Sequence, residues 1–191
     1  MIIQNMVYPF PHTIIYDYFN PVEFDLIYEE CENIVTNIPV EDFEAMGDNH
    51  HGPLVKNHKT KPFFLDKIYE NRRNDSDILK CTRKLFHIDL RDNPFSEYLN
   101  ICNYDRTTLN EYRDGSSYYR HHDMCVLTVI HTIWKEPKTW TGGDLIFNDY
   151  DYKPFLKSNC CFIFPSFKRH EVQTLHGPGV RYTVIQEINI I

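Results

Sequence analysis

Apolar residues recur at helical spacing near the start of the chain and at strand spacing through its second half. Phe24, Ile27, Tyr28, Cys31, Ile34 and Val35 fall on one helical face. Asn20 precedes them as a cap, Pro21 takes the first helical position, and Glu23 is placed to reach back as a capping-box acid. This helix is expected to end before Pro39. Upstream, prolines at 9 and 11 make an extended lead-in, and His12 to Tyr18 reads as a strand. Residues 40–62 are polar and irregular, a length at which a loop is a functional lid or simply mobile. A short helix is expected after Pro62. A stronger one starts at Asp75-Ser76-Asp77 and carries Ile78, Leu79, Thr82, Leu85 and Phe86. Another short one follows Asn93-Pro94 through Phe95, Tyr98 and Leu99.

After residue 104 the period changes to two. Strands are expected at 106–112, 117–121, 124–133, 143–147, 159–164, 170–174 and 180–188, separated by loops rich in Gly, Pro and Asp. Short strands at this spacing suggest a sandwich or a barrel closed on itself. Helices first and strands second argue against a doubly wound sheet. Within 127–133, Thr128, Ile130 and Thr132 share the face expected to look inward, and His131 points the other way. Gly142-Gly143 reads as a tight turn before Leu145 and Phe147; no Walker pattern surrounds it. Trp134 and Trp140 flank that turn, as cover over the core or as substrate contacts.

Length fits one domain over 1–191, with 1–103 mainly helical support and 104–191 most of the core. Tyrosine and phenylalanine, 13 of each, suit a sheet-rich core or an aromatic-lined cavity. A formal net charge of −7 argues against a general grip on nucleic acid. The six cysteines form no C-x-x-C pair and read as free thiols of a reducing compartment. The chain shows no secretory signal and no apolar run of membrane-spanning length, so a cytoplasmic or otherwise intracellular protein is expected.

The chemistry concentrates in Tyr118-Tyr119-Arg120-His121-His122-Asp123. In an extended segment His121 and Asp123 point the same way, whereas His122 turns away from Asp123. A strand returning from His170 would add a second imidazole. Two imidazoles and one carboxylate are the facial triad of non-haem Fe(II) enzymes, which leaves open positions on the metal. His50 and His51 have no spaced carboxylate and read as surface polar residues.

The surroundings add to this. Tyr112-Arg113-Asp114-Gly115 leads into the pair, Trp140-Thr141-Gly142-Gly143-Asp144-Leu145 follows, then Phe162-Ile163-Phe164-Pro165-Ser166, His170-Glu171-Val172 and Gly179-Val180-Arg181-Tyr182-Thr183. Over residues 104–188 the chain resembles the Fe(II)- and 2-oxoglutarate-dependent dioxygenases, in their prolyl-4-hydroxylase-like branch. The resemblance implies an α+β fold with a double-stranded β-helix (jelly-roll, cupin-like) core and supporting N-terminal helices. It implies His121, Asp123 and His170 as iron ligands, with Fe(II), 2-oxoglutarate and O2 as cofactor and cosubstrates, and ascorbate as a further cofactor. Arg181 matches the basic residue that pairs with the distal carboxylate of 2-oxoglutarate, and a guanidinium fork suits that role. Thr183, on the same strand face, offers a hydroxyl. Tyr112 and Tyr118 match cosubstrate-contacting or wall positions, with core packing as the alternative for Tyr118. Thr132 is a weaker contact candidate.

The implied reaction hydroxylates an unactivated C–H while 2-oxoglutarate is decarboxylated to succinate and CO2. A peptidyl prolyl residue, a free amino acid or another small metabolite would be the substrate. A non-catalytic cupin-like binding domain is the alternative class. Related halogenases lack the carboxylate that Asp123 provides, and nucleic-acid-repair relatives carry a further arginine that residues 182–191 do not contain. The loops at 40–62 and 147–158 are expected to form the substrate rim.

Overall fold

The computed structural model describes residues 1–39, 60–88 and 93–190. Twelve strands are present among them: β1 (Ile2–Met6), β2 (His12–Tyr16), β3 (Lys61–Phe64), β4 (Tyr104–Tyr112), β5 (Tyr118–His121), β6 (Leu127–Ile133), β7 (Thr141–Gly142), β8 (Leu145–Ile146), β9 (Cys160–Pro165), β10 (His170–Val172), β11 (Leu175–His176) and β12 (Arg181–Asn189). The α-helices are α1 (Pro21–Asn37), α2 (Leu65–Ile68), α3 (Asp77–Thr82) and α4 (Ser96–Ile101).

The expected closed jelly-roll is corrected. The strands form an open seven-stranded sheet in the order β1-β2-β9-β6-β12-β4-β3, a three-stranded sheet β5-β10-β8 and a two-stranded sheet β11-β7. None of these sheets curls round to close a barrel. The ladders of the small sheets stop early for local reasons. Gly142 and Gly143 both hold φ of +67°, which turns the chain between β7 and β8. The β5–β10 register shifts between His170 and Val172. The α+β character stands. The first hundred residues also supply three strands of the large sheet: β2 as expected, and β1 and β3, which were not; the short helix expected after Pro62 is α2, which directly follows β3.

The large sheet has apolar side chains on both faces, each packed against a different layer. On one face Val129, Ile133, Val184 and Ile188 meet Ile27, Cys31, Ile34, Ile78 and Leu79 from the helices. The helix α1 begins as its sequence specifies: Asn20 caps the Glu23 amide at 3.0 Å and the Glu23 carboxylate accepts from the Asn20 amide at 2.8 Å. On the other face Ile14, Ile130, Phe162 and Phe164 meet Leu145, Phe147, Val172 and Leu175 from the small sheets. Strand alternation therefore sorts side chains between a helix-facing core and a layer that faces the small sheets. All six cysteines are free thiols. No helix among the described residues is long and apolar enough to cross a membrane.

His131 shows that sorting. It is wholly buried on the helix side, beside the rings of Tyr18 and Phe19, with Nε2 3.0 Å from the Gln186 side-chain oxygen. Burial lowers its pKa to about 4, against the support of Gln186. An unfolded histidine takes up a proton below about pH 6.5, so between roughly pH 6.5 and 4 the unfolded chain holds a proton that the native His131 does not. This contribution to stability is complete above pH 6.5 and falls by up to ~1.4 kcal/mol per pH unit on acidification through that window. Urea denaturation at a series of pH values is expected to show a shallower slope for His131→Asn than for the wild type; equal slopes would refute this assignment.

Candidate metal and cosubstrate site

The site lies where the small sheets face the large one. His121 ends β5 and His170 begins β10, and the two are direct cross-strand partners. Their rings are 4.3 Å apart. Asp123 follows β5, and its amide donates to the Ser166 carbonyl at 3.1 Å, which ties the loop to the end of β9. His121 Nε2 lies 3.3 Å from Asp123 Oδ1, and His170 Nε2 lies 3.7 Å from Asp123 Oδ2. One ligand atom from each residue falls within 4.8 Å of the others, the spacing of a 2-His-1-carboxylate triad. His122, the alternative register, is exposed.

Both imidazoles are oriented alike. Nδ1 of His121 is 2.8 Å from the Tyr119 carbonyl, and Nδ1 of His170 is 2.9 Å from the Lys168 carbonyl. A carbonyl only accepts, so each Nδ1 carries the proton and each Nε2 keeps its lone pair for a metal. Burial lowers the His170 pKa to about 4 despite the opposing Asp123 charge. Rings of Phe147 and Phe164 stand 5.7 and 5.1 Å from it. A neutral imidazole is the form that ligates. At Asp123 burial disfavours the charge, but His170, His121 and Thr128 together outweigh it and hold the carboxyl below its ordinary range. Thr128 Oγ1 donates to Asp123 Oδ2 at 2.5 Å.

Arg181, Thr183 and Ile185 face the same side of β12. Together with Tyr112, Tyr118, His121, Ile130, Leu145, His170 and Val172 they line a narrow cavity of about 20 Å³. The Arg181 guanidinium is 4 % exposed and lies 5.4 Å over the Tyr112 ring. One of its terminal nitrogens donates to the Gly143 carbonyl. Its Nε has no hydrogen-bond partner, and no carboxylate forms an ion pair with it among the described residues. Burial lowers its pKa from the ordinary value, opposed by Tyr112 and Asp144. Burial pushes the Tyr112 phenol up to about 12, against Arg181 and Thr183. A buried cation without an anion is costly unless a ligand supplies one.

Thr132 lies apart from this cavity. Its hydroxyl donates to the Lys157 carbonyl at 2.5 Å and accepts from the Cys160 amide at 3.3 Å, so it fastens β6 to the start of β9. Tyr118 packs its ring 4.5 Å from that of His121. Trp134 and Trp140 meet edge to face at 5.5 Å, nearly buried, as cover. Tyr118 and Val172 also border an open groove of about 550 Å³, whose other walls include Tyr119, Glu171 and His176. The 147–158 loop approaches the site from one side: Phe147 bridges Tyr152, and Arg120 pairs with Asp149. The other expected rim, at 40–62, lies almost wholly outside the described residues. The residue that sequence reasoning passed over is Thr128. Alternation places it beside Ile130, but nothing in a β-strand marks a threonine as a carboxylate partner.

No protein-family model and no curated protein matches the chain. Solved structures share its fold. A prolyl hydroxylase from Trichoplax adhaerens, in complex with a peptide fragment of the hypoxia inducible factor oxygen degradation domain, is 15 % identical with a TM-score of 0.65, covering 93 % of this chain and 83 % of that one. A Pseudomonas putida prolyl-4-hydroxylase is 12 % identical with a TM-score of 0.61, covering 94 % and 92 %. The viral collagen prolyl hydroxylase of Paramecium Bursaria Chlorella virus-1, in complex with 2OG, is 14 % identical with a TM-score of 0.57, covering 94 % and 96 %.

Proposed function

We propose that the protein is an Fe(II)- and 2-oxoglutarate-dependent hydroxylase. The observation that carries this reading is the convergence of His121, Asp123 and His170 beside a buried, ion-unpaired Arg181. The donor set fits Fe(II): two neutral imidazole nitrogens and one carboxylate on one face. The orphaned Nε of Arg181 fits a dicarboxylate cosubstrate whose far end needs a cation. When bound, iron and 2-oxoglutarate supply oxidative decarboxylation to succinate and CO2 coupled to hydroxylation of a C–H bond.

The chain's own residues bind, orient and shield. His121 and His170 present Nε2 because backbone carbonyls hold Nδ1–H. Arg181 would exchange the Gly143 carbonyl for a carboxylate, with the Thr183 hydroxyl beside it. Tyr112, Tyr118, Ile130 and Val172 keep bulk water from the reacting centre. A cavity of about 20 Å³ holds a body about the size of one water, so these walls must part before a five-carbon diacid enters. A prolyl side chain in a peptide is the substrate suggested by the names of the similar structures. Free amino acids and small metabolites are the competitors, and the half-open groove beside Tyr118 and Val172 is the approach for any of them.

The narrowness of the cavity favours one second reading, a domain that holds metal without admitting 2-oxoglutarate. Anaerobic titration with Fe(II), then 2-oxoglutarate, separates the two. The hydroxylase is expected to develop a visible charge-transfer absorbance and, on admission of air, to form succinate. With the right member of a panel of prolyl peptides and free amino acids, the product gains one oxygen by mass. Metal uptake without absorbance or succinate would overturn the hydroxylase in favour of the binding domain.

A further inference from the structure

Asp123 offers two equivalent oxygens on a torsion with a broad, two-fold profile. Left to itself such a carboxylate rotates, or takes a metal through one oxygen or both. Here the equivalence is broken. Thr128 is fully buried near the start of β6, with Phe164 of β9 and Glu187 of β12 as its cross-strand partners. Its hydroxyl donates to Asp123 Oδ2 at 2.5 Å. The Cys125 sulfur lies 3.6 Å from that hydroxyl and gives its own proton to the Leu127 carbonyl at 3.3 Å. The threonine proton goes to the carboxylate, a charged acceptor at 2.5 Å, in preference to the weakly accepting sulfur at 3.6 Å. Oδ1 is turned to His121 Nε2 at 3.3 Å and takes no proton from Thr128, whereas Oδ2, 3.7 Å from His170 Nε2, is the oxygen that accepts it.

The geometry points to Thr128 as the positioning residue of the metal centre: it pins Oδ2 of Asp123 and leaves Oδ1 as the single oxygen offered to the ion. This rests on the metal-site reading above and deepens it. Asp123 stands in the short loop after β5, on a small sheet, whereas Thr128 belongs to a central strand of the large sheet. The hydrogen bond thus fastens the loop ligand to the central strand of the large sheet. A threonine suits the task because its β-branched side chain has few rotamers in a strand, so the hydroxyl points one way. Deleting the hydroxyl would leave Oδ2 buried without that donor and free the carboxylate to turn.

The test uses Co(II) and Fe(II) alone as probes, under anaerobic conditions, with the full chain and the variants Thr128→Val, Thr128→Ala and Thr128→Ser. Folding of each is checked by circular dichroism. Thr128→Val and Thr128→Ala are expected to bind Co(II) roughly 10- to 100-fold more weakly than the wild type, the range seen when outer partners of metal ligands are removed. Their Co(II) ligand-field absorbance should change shape as well as midpoint. Thr128→Ser keeps the donor and is expected to restore both affinity and spectrum. Having two hydroxyl-free variants keeps the test decisive if one fails to fold. Wild-type affinity and spectrum in either would overturn the proposal. So would a serine variant as impaired as the valine one, because packing and not the hydroxyl would then be responsible. Failure of the wild type itself to take up Co(II) or Fe(II) would instead overturn the metal-site reading on which the proposal rests.

Discussion

Asp123→Ala is expected to lose 2-oxoglutarate turnover by at least ~10³-fold, about 4 kcal/mol of transition-state stabilisation. The carboxylate is the only anionic member of the triad, and two neutral imidazoles alone do not offset the charge of a divalent ion in a site this dry. Activity loss by itself would not separate a lost ligand from a damaged fold, so thermal unfolding supplies the second readout. A ligand that binds only the native state raises the melting temperature in proportion to its occupancy. Wild-type protein should therefore melt higher with Fe(II) under anaerobic conditions, and Asp123→Ala should show no such increment. Substitution of His121 or His170 by alanine is expected to do the same, because the triad acts as a unit. A variant that retains iron-dependent succinate formation within ten-fold of the wild type would remove Asp123 from the centre.

Arg181→Leu is expected to separate cosubstrate binding from metal binding. The guanidinium is buried, carries an orphaned Nε, and faces the cavity from the same side of β12 as Thr183 and Ile185. Truncating one partner of a buried, hydrogen-bonded charge pair costs about 2–5 kcal/mol. The KM for 2-oxoglutarate is accordingly expected to rise by roughly 30-fold to several thousand-fold, with Fe(II) affinity within ~3-fold of the wild type. Arg181→Lys keeps a charge but loses the planar fork and should fall between the two. Unchanged KM in Arg181→Leu would mean that the cosubstrate's far carboxylate is held elsewhere, or that the protein takes a different ligand.

Much of this architecture was legible before any coordinates. The period-two runs placed β4, β6, β9 and β12 to within a few residues, and Asn20, Pro21 and Glu23 marked the start of α1 by the capping chemistry the structure contains. Alternation correctly separated His131 from Ile130, and it put Arg181 and Thr183 on one face. What failed was closure. Local pattern specifies strands, whereas the partners of a short strand depend on turns and register shifts distant in sequence, here at Gly142-Gly143 and between His170 and Val172. β1 escaped notice because an edge strand buries little: four of its five residues are exposed. β3 buries Pro62 and Phe63, but it is only four residues long and its proline argues against a strand. Hydroxyls were the other blind spot. Thr128 and Thr132 lie on the same strand face, yet one bonds to the triad carboxylate and the other to the Lys157 carbonyl. That choice is made by loops whose course the strand does not encode.

The separation of the sheets also bears on how the site works. His121 and His170 ride on the three-stranded sheet and Arg181 on the seven-stranded one, and no ladder of backbone hydrogen bonds runs from one to the other. Parting the two halves of the cavity would break no strand pairing, but it would act against the bonds that tie Asp123 to Ser166 and Thr128 and against side-chain packing. That packing includes Ile130, Leu145 and Val172. For the proposed cosubstrate, part of the binding free energy would then go into keeping the two halves apart. Measured affinity for a diacid would understate the strength of its contact with Arg181 by that amount.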